Sequence, residues 1–165
     1  MNQPLADTLG PPPFRFAPAA EQPLQGPAFS RAFKFIATLL VGVTVGWFVQ
    51  LWLAGKVSGG AVSILSWFLA ALAMMGYTWL CIVRSVTRLD GQALTQTWVW
   101  NKKMELRELA YGKLIRVRGL DWLVAPRLYL RTLGGKFAVF YAADPRMIAS
   151  FERLVRELAE FRRLR

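Results

Sequence analysis

The chain contains no histidine and a single cysteine, Cys81, among 165 residues. One cysteine excludes an intramolecular disulfide framework, and the lack of histidine removes the commonest general base and the commonest neutral metal ligand. A zinc or haem centre would have to be built without its usual ligands, so neither a metal nor another cofactor is expected. Acidic residues are also scarce, 10 against 21 Lys and Arg, which leaves a net charge of +11. Glu105, Glu108 and Asp121 are candidate acids for an enzyme, but isolated carboxylates in a basic segment are ordinarily salt-bridge or surface groups. With no catalytic motif in view, the chain reads as a non-enzyme.

What is abundant is uninterrupted apolar sequence. Hydrophobic residues make up 55% of the chain, and the excess over a soluble domain is concentrated in residues 35–54 and 61–83, neither of which contains a charge. Each run is long enough, as a helix, to cross about 30 Å of hydrocarbon. A soluble protein would need a large domain to bury two such helices, and only about 80 residues follow them. A cleaved signal peptide fits poorly, because residues 1–30 are Pro-rich and nearly uncharged and a second span directly follows the first. The reading is an α+β membrane protein with a transmembrane helical hairpin over residues 31–84.

Orientation follows from the flanking cations. Arg31 and Lys34 precede the first span, Arg84 and Arg88 follow the second, and the connecting loop holds only Lys56. The bias places both termini in the cytoplasm and the loop outside, a multi-pass protein of the cell inner membrane. From Arg84 onward there are 17 Lys or Arg against 8 Asp or Glu. A basic domain tethered there faces an anionic leaflet that attracts each cation by about 1 kcal/mol. Nucleic acid is not expected as a partner, because no base-reading or single-strand-binding module is visible.

Within the spans, Gly42 and Gly46 form a Gly-x-x-x-Gly face, and Ser63, Ser66, Ala70 and Ala73 form a small-residue stripe on the second helix. Hairpin closure accounts for both, with packing against a different membrane protein as the alternative. Trp47, Trp52, Trp67 and Trp79 suit anchoring at headgroup depth. Residues 1–30 hold seven of the nine prolines and show no apolar periodicity, so a disordered cytoplasmic leader is expected. Docking of Phe14, Phe16 and Phe29 onto a neighbour is the alternative.

After residue 84 the pattern changes to alternation. Residues 85–90 and 93–100 read as strands joined at Asp90-Gly91, where both positions tolerate positive φ, followed by strands over 104–109, 113–118, 127–133 and 136–141. Ile115 and Val117 alternate with Arg116 and Arg118, and Leu128 and Leu130 alternate with Arg127, Tyr129 and Arg131, which predicts an oily face and a basic one. Asp144 and Pro145 open a helix whose Met147, Ile148, Phe151, Leu154, Val155, Leu158 and Phe161 recur at helical spacing. That stripe is expected to plug an open end of the sheet.

The strand order, the Asp90-Gly91 hairpin, the stretch 104–118, the Gly134-Gly135 turn and the terminal helix together resemble a bacterial pleckstrin-homology-like (PH-like) domain on a two-span membrane anchor. The resemblance covers residues 84–162 and implies a twisted antiparallel barrel capped by one helix, here a cytoplasmic domain over residues 85–165. Such domains have seven strands, and six are readable here, with residues 122–124 as a short candidate for the seventh. Phosphoinositide-binding members carry several cations across the first hairpin, whereas this one offers Arg88 and then nothing basic until Lys102. The resemblance implies a scaffold that binds protein, peptide or lipid surfaces. The expected function is an accessory, scaffold or assembly subunit of a membrane complex, or alternatively a membrane-surface lipid or envelope-stress sensor. Its partners would be anionic lipid and another membrane protein or a second copy of the chain. The expected contact face is Arg116, Arg118, Arg127 and Arg131 with Tyr129 between them.

Overall fold

A computed structural model of the chain describes residues 14–17, 23–56, 62–117 and 119–163. Its elements run in the order β1 (Leu24–Pro27), α1 (Arg31–Leu53), α2 (Val62–Arg84), β2 (Val86–Leu89), β3 (Ala93–Gln96), β4 (Lys102–Glu105), β5 (Leu109–Ile115), β6 (Arg127–Thr132), β7 (Phe137–Tyr141) and α3 (Pro145–Arg163). Every strand pairing is antiparallel, in one sheet of order β1-β2-β3-β4 and another of order β5-β6-β7.

The two helices behave as their composition dictates. Ser30 caps α1, its Oγ accepting from the Phe33 amide at 3.1 Å, and no residue of α1 is buried. Both helices are long and apolar enough to cross a membrane. They are held together by stacked rings of Phe48 and Phe68 at 5.0 Å and by the Trp79 Nε1 donating to Thr38 Oγ1 at 2.8 Å. The Lys34 ammonium donates to the Val83 carbonyl at 2.8 Å. A Cβ added at Gly42 or Gly46 would meet nothing within 4 Å, and Ser66, Ala70 and Ala73 are exposed. Closure of the hairpin therefore runs through Phe48, Phe68, Thr38 and Trp79, and the face of Gly42 and Gly46 makes no close approach to α2. Ser63 lies in α2, and its side chain is outside the described residues.

Within the first 30 residues, the described ones, 14–17 and 23–30, depart from the expected disordered leader. β1 pairs with β2 in the register Leu24↔Leu89 to Pro27↔Val86, and Phe14 and Phe16 are buried in the core. The Phe14 ring meets Phe161 of α3 at 5.4 Å. Proline content misled the reading because a strand at a sheet edge needs only half of its amides paired, so Pro27 is tolerated there. A strand that the sequence reading did not include thus precedes the helices, and residues 122–124 form a turn and bend, not a short strand.

The core lies between the two sheets and α3. Leu89, Leu94, Met104, Leu106, Leu109, Leu128, Leu130 and Phe140 meet Met147, Phe151, Leu154 and Leu158 of α3, whose spacing is the expected helical stripe. Asp144 caps that helix, its Oδ1 accepting from the Arg146 amide at 2.8 Å. The sheets do not close into one barrel. A tight turn over Leu106–Glu108 interrupts pairing between β4 and β5, and at the opposite corner the Ala143 amide donates to the Pro27 carbonyl at 3.0 Å.

Several local details differ from the sequence reading. The strands expected over 104–109 and 113–118 lie instead at Lys102–Glu105 and Leu109–Ile115, with the tight turn over Leu106–Glu108 between them. The β2–β3 turn is held by the Asp90 carboxylate, which accepts from the amides of Gln92 and Ala93 at 2.8 and 2.6 Å, and neither Asp90 nor Gly91 has positive φ. The alternation along 113–116 is also inverted. Tyr111, Lys113 and Ile115 stand opposite Arg131, Tyr129 and Arg127, so Ile115 lies on the outer face and Arg116 turns toward α3. An irregularity between Leu109 and Tyr111 sets this phase, and Gly112 admits α3, since a Cβ there would lie 3.1 Å from Leu130 Cδ2 and 3.5 Å from Leu158 Cδ2.

Gly112→Ala is expected to destabilise the domain by about 1–3 kcal/mol through overpacking, and Gly46→Ala to leave its chemical-denaturation midpoint unchanged. Phe16→Ala should cost about 3–5 kcal/mol if the segment before β1 belongs to the core. An unaltered midpoint would return that segment to the status of a dispensable leader.

Candidate functional site

The outer face of the β5-β6-β7 sheet is built by strand alternation alone. Along β6, Leu128, Leu130 and Thr132 are buried, whereas Arg127 and Arg131 are exposed with Tyr129 half-buried between them. Across β5 the opposite residues are Ile115, Lys113 and Tyr111; across β7 they are Tyr141, Val139 and Phe137. The nine side chains include three cations, no acid and four aromatic rings. The Tyr129 and Phe137 rings lie 5.6 Å apart, and the Arg127 guanidinium sits 5.7 Å from the Tyr141 ring centre. Among the described residues, none of Lys113, Arg127 and Arg131 forms an ion pair. Guanidinium groups between aromatic flanks suit a carboxylate or phosphate, which they grip by paired N–H donors.

The expected contact residues are only partly brought together. Arg127, Tyr129 and Arg131 share this face. Arg116 does not, because it pairs with Glu152 of α3 at 2.5 Å at the edge of a groove of about 810 Å³ shared with Arg156 and Asp121. Arg118 lies outside the described residues. Of the small residues of the helices, Gly42 and Gly46 meet no close neighbour and Ser66, Ala70 and Ala73 are exposed, while the Ser63 side chain lies outside the described residues.

A second cluster escaped the sequence reading. Residues 98–100 continue the alternation of β3 and were expected inside the strand, but β3 ends at Gln96 and Trp98 and Trp100 fall in the following loop. There the Lys102 ammonium sits 5.0 Å from the Trp98 ring centre and 5.9 Å from that of Tyr141, and it donates to the Val139 carbonyl at 3.2 Å. Phe29 joins the cluster from the segment before α1, 5.4 Å from both Tyr141 and Phe33. The signal available in the sequence was two tryptophans beside Asn101-Lys102, a pattern that suits a loop tip as well as a strand end. Removal from water lowers the Lys102 pKa from its ordinary 10.5.

A larger cavity of about 980 Å³ opens at the opposite end of the domain, between Phe14–Ala17 and the β2–β3 turn. Its cations, Arg15, Arg88, Lys103 and Arg107, are offset by Asp90 and Glu105, and Glu105 is already paired with Arg107 at 2.6 Å. Comparison of the chain with protein-family models, with curated proteins and with solved structures gives no match.

The Lys102 environment has a pH signature. The folded state holds its proton less tightly than the unfolded chain, so the unfolded state binds more protons between the lowered pKa and 10.5. Stability of the wild type relative to Lys102→Met should therefore rise as pH increases through that window. A difference that stays flat across alkaline denaturation series would show that the ammonium is fully hydrated.

Proposed function

We propose that this chain is a non-enzymatic, membrane-anchored interaction module. In this reading α1 and α2 cross the cell inner membrane with both termini cytoplasmic, and the two sheets with α3 form a cytoplasmic PH-like domain. The domain serves as an accessory, scaffold or assembly subunit by binding an acidic segment of another membrane protein. The helices' uncovered apolar surface and the flanking cations Arg31, Lys34, Arg84 and Arg88 support the topology. Sheets of four and three antiparallel strands followed by one packed helix support the PH-like likeness.

The observation that carries the binding role is the acid-free outer face, where Lys113, Arg127 and Arg131 stand among aromatic rings with no ion pair to any described residue. Strand direction argues for a protein partner over a lipid sensor on this face. β6 starts beside the helix junction, where Ser30 of the α1 cap donates to the Leu123 carbonyl at 2.8 Å, and it runs away from there. Arg131 is about 13 Å farther along than Arg127, so the face stands on end relative to the bilayer instead of lying flat on it.

The test is copurification of the full chain from gently solubilised membranes. Wild type should retain a stoichiometric protein, and Arg127→Glu with Arg131→Glu should weaken its capture by about tenfold, near 1.4 kcal/mol. Arg163→Glu, exposed at the end of α3, serves as the charge control. Recovery of lipid alone, or capture indifferent to the double reversal, would reject the reading.

A further inference from the structure

Two loops emerge at the end of the domain where the helices join it, and both carry apolar side chains that stay exposed among the described residues. The β3–β4 loop presents Val99 and Trp100, and the β5–β6 loop presents Leu120 and Trp122, with both tryptophans 62% exposed. We infer that these two loops are interfacial anchors that insert Trp100 and Trp122 into the headgroup layer of the bilayer that α1 and α2 cross. The inference rests on the membrane reading above and deepens it by fixing how the domain sits.

Continuity with the helix ends names the occupant. The β3–β4 loop is tied to the residue after α2, because the Ser85 hydroxyl donates to the Thr97 carbonyl and the Val86 amide donates to Thr97 Oγ1 at 3.0 Å. The β5–β6 loop is tied to the residue before α1 by the Ser30–Leu123 hydrogen bond. Ser30 and Ser85 flank the charged ends Arg31 and Arg84 of the two helices, so a bilayer boundary passes close to both ties. A protein surface could cover tryptophan anywhere on the domain, but only a lipid boundary must pass at this particular level.

Local chemistry agrees with that depth. Tryptophan favours the headgroup region because its ring is apolar and its indole N–H is polar. The β5–β6 loop satisfies its own backbone through amides of Leu120, Leu123 and Val124 donating to carbonyls of Val117 and Leu120, which lowers the cost of leaving bulk water. Asp121, between Leu120 and Trp122, lines the groove that also holds Arg116 and Arg156, on the side of the loop that faces the domain.

The experiment uses the full chain with Cys81→Ala, reconstituted in bilayers of mixed zwitterionic and anionic phospholipid and carrying one spin label at a time. Trp100→Cys and Trp122→Cys report on the loops, Val43→Cys on the exposed face of α1, and Leu133→Cys on the turn at the far end of the domain. Collision rates with oxygen and with a water-soluble nickel chelate are compared. The oxygen-to-nickel ratio at positions 100 and 122 should be several-fold above that at 133 and below that at 43. Ratios at 100 and 122 equal to that at 133, with 43 lipid-like, would overturn the loop insertion and leave the membrane reading standing. A water-like ratio at 43 would overturn both. Shielding of 100 and 122 from oxygen and nickel alike would mean that protein covers the loops, and would also overturn the inference.

Discussion

The pairing of β1 with β2 is the constraint on which the rest of the structure depends. These neighbours in one sheet are separated in sequence by both apolar helices, so the helical pair is an insertion in the turn of a β-hairpin. Closing so long a loop carries an entropic cost that grows slowly with length, and packing of α1 on α2 meets part of it by bringing residues 30 and 85 together. The antiparallel ladder then forces the helices to leave the domain side by side. The segment before α1 cannot be detached without removing an edge strand and the two phenylalanines that seal the core beneath it.

That arrangement polarises the domain. One end carries the helix junction, the β3–β4 and β5–β6 loops and the start of α3. The other carries the β2–β3 turn, the Gly134-Gly135 turn, where Gly135 adopts φ 81°, and the larger cavity. Strands of two sheets run between these ends, so every face of the domain is graded by distance from the helices. In the proposed membrane setting, the cluster of Phe29, Trp98, Lys102 and Tyr141 lies at the junction, and the basic face of β6 extends from there into the cytoplasm. Cations on that face are displayed sideways, which suits a neighbour in the same membrane.

Much of this is legible in the sequence. The charge-free runs, the presence of strands after residue 84 and the stripe of α3 announce themselves because helix and strand periods place apolar residues on one side whatever the partner, whereas the bounds of β4 and β5 do not. Alternation in β6 likewise placed Arg127, Tyr129 and Arg131 together. It failed for Arg116, because a phase change between Leu109 and Tyr111 flipped the residues after it to the opposite side. It also failed at Trp98 and Trp100, where alternation continued past the last ladder bond of β3. Gly42 and Gly46 have a spacing compatible with close packing, yet spacing says nothing about which neighbour, if any, approaches.

Local pattern determined what each segment of this chain is, because helix and strand propensity, capping and apolar period are properties of a few adjacent residues. Tertiary structure decided which segments meet. Recruitment of residues 24–27 into a sheet with strands beyond both helices, the separation of Arg116 from the other arginines, and the gathering of two apolar loops at the helix ends all depend on pairings between distant residues. Those pairings are selected by the combined burial of a shared core, a quantity that no single stretch of sequence contains.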